Sequence, residues 1–565
     1  MSTRSTAIAR GVGLQVLAKV SVLPLAMVTL GIATRYLGPQ DYGLLATAVV
    51  FVTSFEAFSE LGVGTIVVRR VAGRGGNLER LVGQSLAFSS VYALPLALVA
   101  GVVGIGVYWG DTEQQLAVAV LAVGLVATTH ANCFDPVFDV KVRYSAAASA
   151  EFFSRVLTLS AAAAVAFFDL GLLGMCAVQI IPQTLRLVVQ WWGARRLTTI
   201  RWVPDAAGIK SLLKESLPLT VISIIGVAYW RADGLILSVL APPEQIGGYY
   251  LAVQIAFTLT LVSRVFSRSV LSTISETYAS DRVRFGRAVD QGYRFLLLVG
   301  VPIAVVGWPL AGRMAQVVGS EEFRPFAGPP LQLFFVAVGM TFLSAIVSDG
   351  LIAAHEQRYL TTMSSINLGI NIVGNIVLIP FLGAVACGIM MVVTETIGVG
   401  ASQWRLRRHG AHPLPFGYLA RLVPAGLLSL GAIWLTYDLP LVVPMIAGGL
   451  AYVAGAFAMG AVPPALRAAM FGALRPKSLD RMEAESGGAT GSPPATGTTD
   501  VAGVSEEPGA EAVPSGPGPG PLPHPVSPGA ALDAETAVLD LASLQTVRFR
   551  ATGDKYVEMR IIRRP

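Results

Sequence analysis

Apolar runs separated by short polar connections recur from near the N-terminus to about residue 460. A helix rises 1.5 Å per residue, so about 20 apolar residues cross the ~30 Å hydrocarbon core of a bilayer. In lipid a backbone must satisfy its own hydrogen bonds, and a helix does so within one segment. The pattern predicts fourteen spans, at about 12–34, 40–65, 81–108, 116–138, 150–169, 172–191, 216–240, 248–275, 291–312, 330–352, 361–380, 383–403, 417–437 and 440–461. The chain is therefore read as an all-α polytopic membrane protein with about 14 transmembrane helices. Its first run follows the basic "MSTRSTAIAR" but is long, holds Lys19 and leads into further spans. That marks a retained span rather than a cleaved signal.

Charge sorts the connections into two sets. The N-terminus, "RRVAGRGGNLER", "KVRY", "ARRLTTIRWVPDAAGIKSLLK", "DRVRFGR", "EQRY", "WRLRRHG" and "LRAAMFGALRPKSLDR" carry 24 Lys and Arg together, against Arg35, Arg313 and Arg324 in the other set. Basic loops stay in the cytoplasm, so both termini are expected inside, with the protein in the plasma (inner) membrane. The asymmetry accounts for the net charge of +6 without nucleic acid as a partner.

Two short stretches repeat. "LGPQDYGLLATAV" at 37–49 resembles "APPEQIGGYYLAV" at 241–253, aligning Pro39 with Pro243 and Gly43 with Gly247. Each reads as a tight outer turn opening the next span, with proline presetting φ and glycine allowing close approach. Six spans separate the copies, so the halves share one orientation: a parallel repeat about an axis along the membrane normal. The expected organisation is an N-lobe at 1–191 (spans 1–6), a connection at 192–215, a C-lobe at 216–403 (spans 7–12), two extra helices at 404–462, and a cytoplasmic tail at 463–565. Within the tail, 486–530 holds ten Pro and ten Gly with no aromatic, Lys or Arg. It cannot bury enough apolar surface to fold and is read as a disordered linker. The final "LQTVRFRATGDKYVEMRIIRRP" alternates around "TGD" as a hairpin would, and its arginines also suit anionic lipid or a polysaccharide-assembly protein.

Composition agrees. The chain is 53% apolar and 13% charged with mean hydropathy +0.63, where a soluble domain carries about 25% charge. Cys133, Cys176 and Cys387 lie far apart in apolar runs with no metal or redox spacing. Two lobes of this kind describe a transporter, with its substrate site near mid-membrane where the repeats meet.

The stretches "RYLGPQDYGLLATAVVFVTSFEAFSELGVGTIVVRR" and "YWRADGLILSVLAPPEQIGGYYLA" resemble those of the polysaccharide flippases, O-antigen and exopolysaccharide type, of the multidrug/oligosaccharidyl-lipid/polysaccharide exporter superfamily. The resemblance covers roughly residues 5–460. It implies a central cavity lined by spans 1, 2, 7 and 8. It also implies that an undecaprenyl-pyrophosphate-linked oligosaccharide is moved from the inner to the outer leaflet of a bacterial plasma membrane.

Buried charge gives that cavity candidate residues. Arg231 and Asp233 sit well inside span 7, Arg264 and Arg268 share one face of span 8, and Lys19 lies on span 1. A charge at the bilayer centre costs roughly 2.5–3.5 kcal/mol, so each needs water, a partner or a charged ligand. Arginine suits pyrophosphate because its fork donates to two oxygens at once. The plain alternatives are snorkelling for Lys19 and pairing with a carboxylate for Arg231, Asp233 being nearest in sequence.

Glu56 and Glu60 on span 2, and Asp135 and Asp139 on span 4, are carboxylate pairs four residues apart. With the carbonyl that Pro136 frees, they could bind Na+ or carry H+ as the coupling ion. Equally they could pair with Arg69, Lys141 or Arg143. Asp349 and Glu395 are expected to pair locally, and Asn367, Asn371 and Asn375 to hydrogen-bond between helices.

Three functions compete for such a chain: the flippase, a cation-coupled multidrug or small-solute antiporter of the same superfamily, and a membrane glycosyltransferase or polymerase. The third needs long outer loops or a catalytic domain. The longest outer loop, about 313–329, carries "GSEEFRP" and no catalytic set, and the five histidines are scattered. The chain is accordingly expected not to be an enzyme and to need no cofactor.

Overall fold

Side-chain caps start several of the long helices. Asn77 accepts from the Arg80 N–H, Asp111 from Gln114, Asp205 from Gly208, and Asp281 from Val283 and Arg284, satisfying donors that a helix N-terminus leaves bare. In the computed structural model residues 2–74, 76–141 and 145–463 are described; the side chains of 2–22, 74, 145–151, 222, 264, 265, 268 and 269 are not. The tail beyond 463, with its expected linker and hairpin, lies outside the described residues.

Among the described residues only helices form. The first, Ser2–Ser54, holds two spans joined by a kink at Gly38 (φ 70°, ψ 178°). Ten more segments are long and apolar enough to cross a membrane once short breaks are bridged, and Phe152–Phe167 and Val442–Ala458 are shorter apolar helices. The fourteen predicted spans each fall on one of these segments. The turn expected at 37–49 is thus a kink: Pro39 starts the second arm, and glycine supplies the left-handed φ before it.

Within spans 1 to 6, Thr112–Asn132 and Ser145–Phe167 pack against the first helix, while Leu78–Val107 packs on Thr112–Asn132 and Ile181–Leu197 packs on both Thr112–Asn132 and Ser145–Phe167. In the second half, Arg324–Ala353 is the central helix, packed on Thr260–Ser280, Arg282–Val318 and Ala384–Arg407. Its Phe334, Phe335, Phe342 and Ile346 are fully buried, as is Tyr293 on the neighbouring helix. Phe416–Leu435 and Val442–Ala458 pack on each other and on Arg282–Val318. A Cβ on Gly455 would stand 2.7 Å from Ala425 Cα, the close approach that small residues permit between helices in lipid.

The halves meet along two seams. At the end opposite the basic loops, the repeated turns touch each other: a Cβ on Gly43 would stand 2.6 Å from the Pro243 carbonyl carbon, and one on Gly247 would strike the Pro39 carbonyl oxygen. Beside them Arg35 donates to the carbonyls of Gly319 (2.9 Å) and Val317 (2.5 Å), and Thr34 to Val318 (3.3 Å). At the basic end Glu215 accepts from Arg69 (2.5 Å) and Arg70 (2.6 Å), and Thr220 donates to the Leu61 carbonyl (2.8 Å). Arg80 and Gln84 bind Asp205 at 2.8 and 2.9 Å. The Gly208 N–H and then Arg80 hold the Asp205 carboxyl below its usual range.

Candidate functional site

Local chain breaks shape the site. Pro136 and Pro182 lack an N–H and crowd the preceding turn. Spans 4 and 6 break just ahead of them, at Cys133 and Phe134 and at Gln179 and Ile180. Span 2 breaks without proline. Phe55 ends its first part, and Leu61 (φ 48°) and Gly62 (φ 63°) turn the chain between Glu56–Glu60 and Val63–Arg74. Gly62 also has to be small, since its Cβ would stand 2.7 Å from the Leu219 side chain of span 7.

The breaks lie side by side and leave two hollows. One, about 380 Å3, is lined by Thr53 and Glu56 of span 2, Thr128 of span 4, and Gln179 and Gln183 of span 6. The buried Gln183 Oε1 has no hydrogen-bond partner among the described residues. The other, about 330 Å3, is lined by Ser59, Glu60, Ser85, Ser89, Asn132 and Pro136. Asn132 donates to Ser59 there at 3.0 Å.

Glu56 also feels the second half of the chain. Both Arg231 of span 7 and Arg186 of span 6 exert a coulombic pull on its carboxylate. Arg231 itself is half-buried and makes no hydrogen bond or ion pair among the described residues. Its neighbour in sequence feels the guanidinium's charge as Glu56 does but forms no ion pair with it among the described residues: Asp233 accepts from Tyr249 Oη at 2.5 Å and from the Gly234 N–H at 2.9 Å. Residues two apart on a helix point different ways, which is why Asp233 turns to span 8 instead. Tyr108 of span 3 and Ser238 of span 7 share a hydrogen bond of 3.0 Å, a further link between the halves.

The other predicted residues divide. Asp135 pairs with Arg186 at 2.6 Å and accepts from Gln190 at 2.5 Å, and Arg69 is taken by Glu215; Arg143 lies outside the described residues. Glu60 and Asp139 are both engaged with other groups. The side chains of Lys19, Arg264 and Arg268 lie outside the described residues. Asp349, 7% exposed, lies beside Ser267 of span 8, yet its Oδ2 and the Ser267 hydroxyl have no hydrogen-bond partner among the described residues, and Glu395 lies beside Ser344 of span 10. Asn367 donates to the Thr394 carbonyl (3.2 Å), and Asn375 to Asn371 on its own helix (3.0 Å).

Sequence reasoning passed over Arg186, Gln183, Gln190 and Tyr249. Arg186 carried the same signal as Arg231, a guanidinium inside an apolar run, "QTLRLVVQ". Tyr249 carried none, since a tyrosine in a span is ordinary.

The family model described as "Polysaccharide biosynthesis protein" matches residues 32–327. The chain belongs to the polysaccharide biosynthesis protein family. That match takes in the kink at Gly38, the broken spans 2, 4 and 6, Arg231 and both copies of the repeated turn. A search of curated proteins gives no match. Among solved structures, the lipid II flippase MurJ in an inward closed conformation superposes with a TM-score of 0.64 at 13% identity, covering 78% of this chain and 98% of that one. An inward-facing multidrug resistance MATE family transporter of the MOP superfamily superposes with a TM-score of 0.54 at 13% identity, covering 70% and 98%. At such identity the likeness is one of fold. This polysaccharide biosynthesis protein is a multi-pass membrane protein with the fold of flippases and exporters.

Proposed function

We propose that this chain flips an undecaprenyl-pyrophosphate-linked oligosaccharide across the bacterial plasma membrane for surface polysaccharide synthesis. Both termini lie in the cytoplasm, and no bond is made or broken. The observation that carries the reading is Arg231: a cation deep in span 7, without an ion-pair partner among the described residues, within coulombic reach of Glu56 on the other half. An unpaired guanidinium there is expensive, and a phosphate-bearing headgroup repays it with bidentate hydrogen bonds. Arg264, Arg268 and Lys19 join it as proposed phosphate contacts.

The sugar–pyrophosphate head passes between the halves while the lipid tail stays in the bilayer. The two seams open in turn, which is alternating access. Glu56 competes with the phosphate for Arg231, so it resets the site once the substrate leaves. Na+ or H+ taken up by Glu56 would weaken that competition and couple the cycle.

The test is Arg231→Ala beside Arg231→Lys, read as surface polymer and as lipid-linked units on the inner leaflet. Loss of polymer with inner-leaflet accumulation in Arg231→Ala, partly restored in Arg231→Lys, is expected. Normal polymer with altered drug tolerance would instead support the antiporter reading, in which the carboxylates receive organic cations.

A further inference from the structure

Spans 6 and 12 end alike. Gln190, Trp191 and Arg195 in "QWWGARR" correspond to Gln403, Trp404 and Arg408 in "QWRLRR". In each copy a guanidinium lies over the indole one turn back: Arg195 is 4.4 Å from the Trp191 ring centre, and Arg408 is 3.9 Å from Trp404. A third pair stands beside the first, Arg196 at 3.5 Å from Trp192. In each copy the glutamine turns inward and ties down the helix end. Gln190 donates to Asp135 at 2.5 Å; Gln403 donates to the His412 carbonyl at 2.7 Å and accepts from Tyr293. The three tryptophans face outward, 42%, 54% and 57% exposed.

The arginines of these pairs are not neutralised. Among the described residues none of Arg195, Arg196 and Arg408 meets a carboxylate, whereas Arg405, on the same turn, is held by Glu356 at 2.7 Å. An indole face fixes the guanidinium by cation–π attraction without using its N–H donors. Tryptophan at a span end sits at headgroup depth, so the stacked fork presents its donors where lipid phosphates lie.

We propose that these Trp–Arg stacks are two binding sites for the headgroup of an anionic phospholipid, one at the basic end of span 6 and one at the basic end of span 12. The last span of each predicted lobe is thereby moored to the same leaflet. The assignment is independent of what the central site transports.

The full chain, purified in mild detergent and titrated with phosphatidylglycerol or phosphatidylcholine, is read by native mass spectrometry. Wild type should keep phosphatidylglycerol in preference. Removing one arginine whose fork is held at headgroup depth by an indole should weaken retention at its site about fivefold, so Arg195→Gln with Arg196→Gln should weaken the first site and Arg408→Gln the second. Trp191→Ala and Trp404→Ala, which keep every charge, should also weaken retention. Arg358→Gln, an exposed arginine at the same end without an indole beneath it, should not. Circular dichroism checks that each variant is folded. Equal retention of the two lipids overturns the proposal, as does an Arg358→Gln effect as large as that of Arg408→Gln. Displacement of phosphatidylglycerol by equimolar undecaprenyl pyrophosphate would make these substrate-docking sites and overturn it as well.

Discussion

Replacing Gly43 with alanine attacks the seam opposite the basic loops. The new Cβ would stand 2.6 Å from the Pro243 carbonyl carbon and closer still to its oxygen. Ordinary carbon contacts fall at about 3.5–4.0 Å, so the turns must part by roughly 1 Å. Both neighbours are backbone, and neither can swing aside as a side chain would. Overpacking of this kind costs about 1–3 kcal/mol, or roughly a five- to 150-fold fall in the closed seam relative to the open one. Thr34, fully buried beneath the seam with its hydroxyl 3.3 Å from the Val318 carbonyl, reports the change when replaced by cysteine. In the detergent-solubilised chain, Thr34→Cys should react with a hydrophilic maleimide at a rate raised by that factor when Gly43→Ala is added. The buried native cysteines set the background. Gly449→Ala, with nothing within 4 Å of its Cβ, is the control. A Thr34→Cys rate unmoved by Gly43→Ala, or moved as much by Gly449→Ala, would refute the reasoning.

At the basic seam, Glu215→Gln frees Arg69 and Arg70. With the Glu215 side chain 23% exposed, each pair should be worth about 0.2–1 kcal/mol, and a double-mutant cycle with Arg70→Ala in thermal unfolding should show that coupling; strict additivity would deny it. Burial works against charge on Glu356, but hydrogen bonds from Arg405 and His409 outweigh it and hold the carboxyl below its usual range. Its contribution is therefore complete above the unfolded carboxylate value of about 4.3 and is lost as pH falls through the folded value. The gap in Tm between wild type and Glu356→Gln should be open at pH 7 and narrow on acidification past that value; a gap that widens in acid runs the wrong way. Gly383 has φ 55°, and its Cβ would collide with Gln245, whose Oε1 accepts from the Ala384 N–H at 3.0 Å. Gly383→Ala should cost about 1–3 kcal/mol, and adding Gln245→Ala should recover part of it in the same melt.

The spans were legible because hydropathy acts locally: a segment that must cross lipid announces itself whatever it packs against. The repeated turn was legible for the same reason, since proline and glycine dictate backbone shape on their own. The breaks in spans 4 and 6 could be read from Pro136 and Pro182. The break in span 2 could not, because it turns at Leu61, a leucine with a left-handed φ whose carbonyl accepts from Thr220 of span 7. Partner choice was least legible. Asp135 takes Arg186 from two spans away, and Asp233 takes Tyr249 rather than Arg231. Such pairings depend on which helix faces turn toward each other, and the one-dimensional pattern leaves several carboxylates within equal reach of each cation.

The two copies of the Pro-x3-Gly turn meet at one point, each glycine pressed on the other copy's proline carbonyl. A bulkier residue in one copy is felt by its twin, so the outer closure tolerates change in these two turns only when both change together.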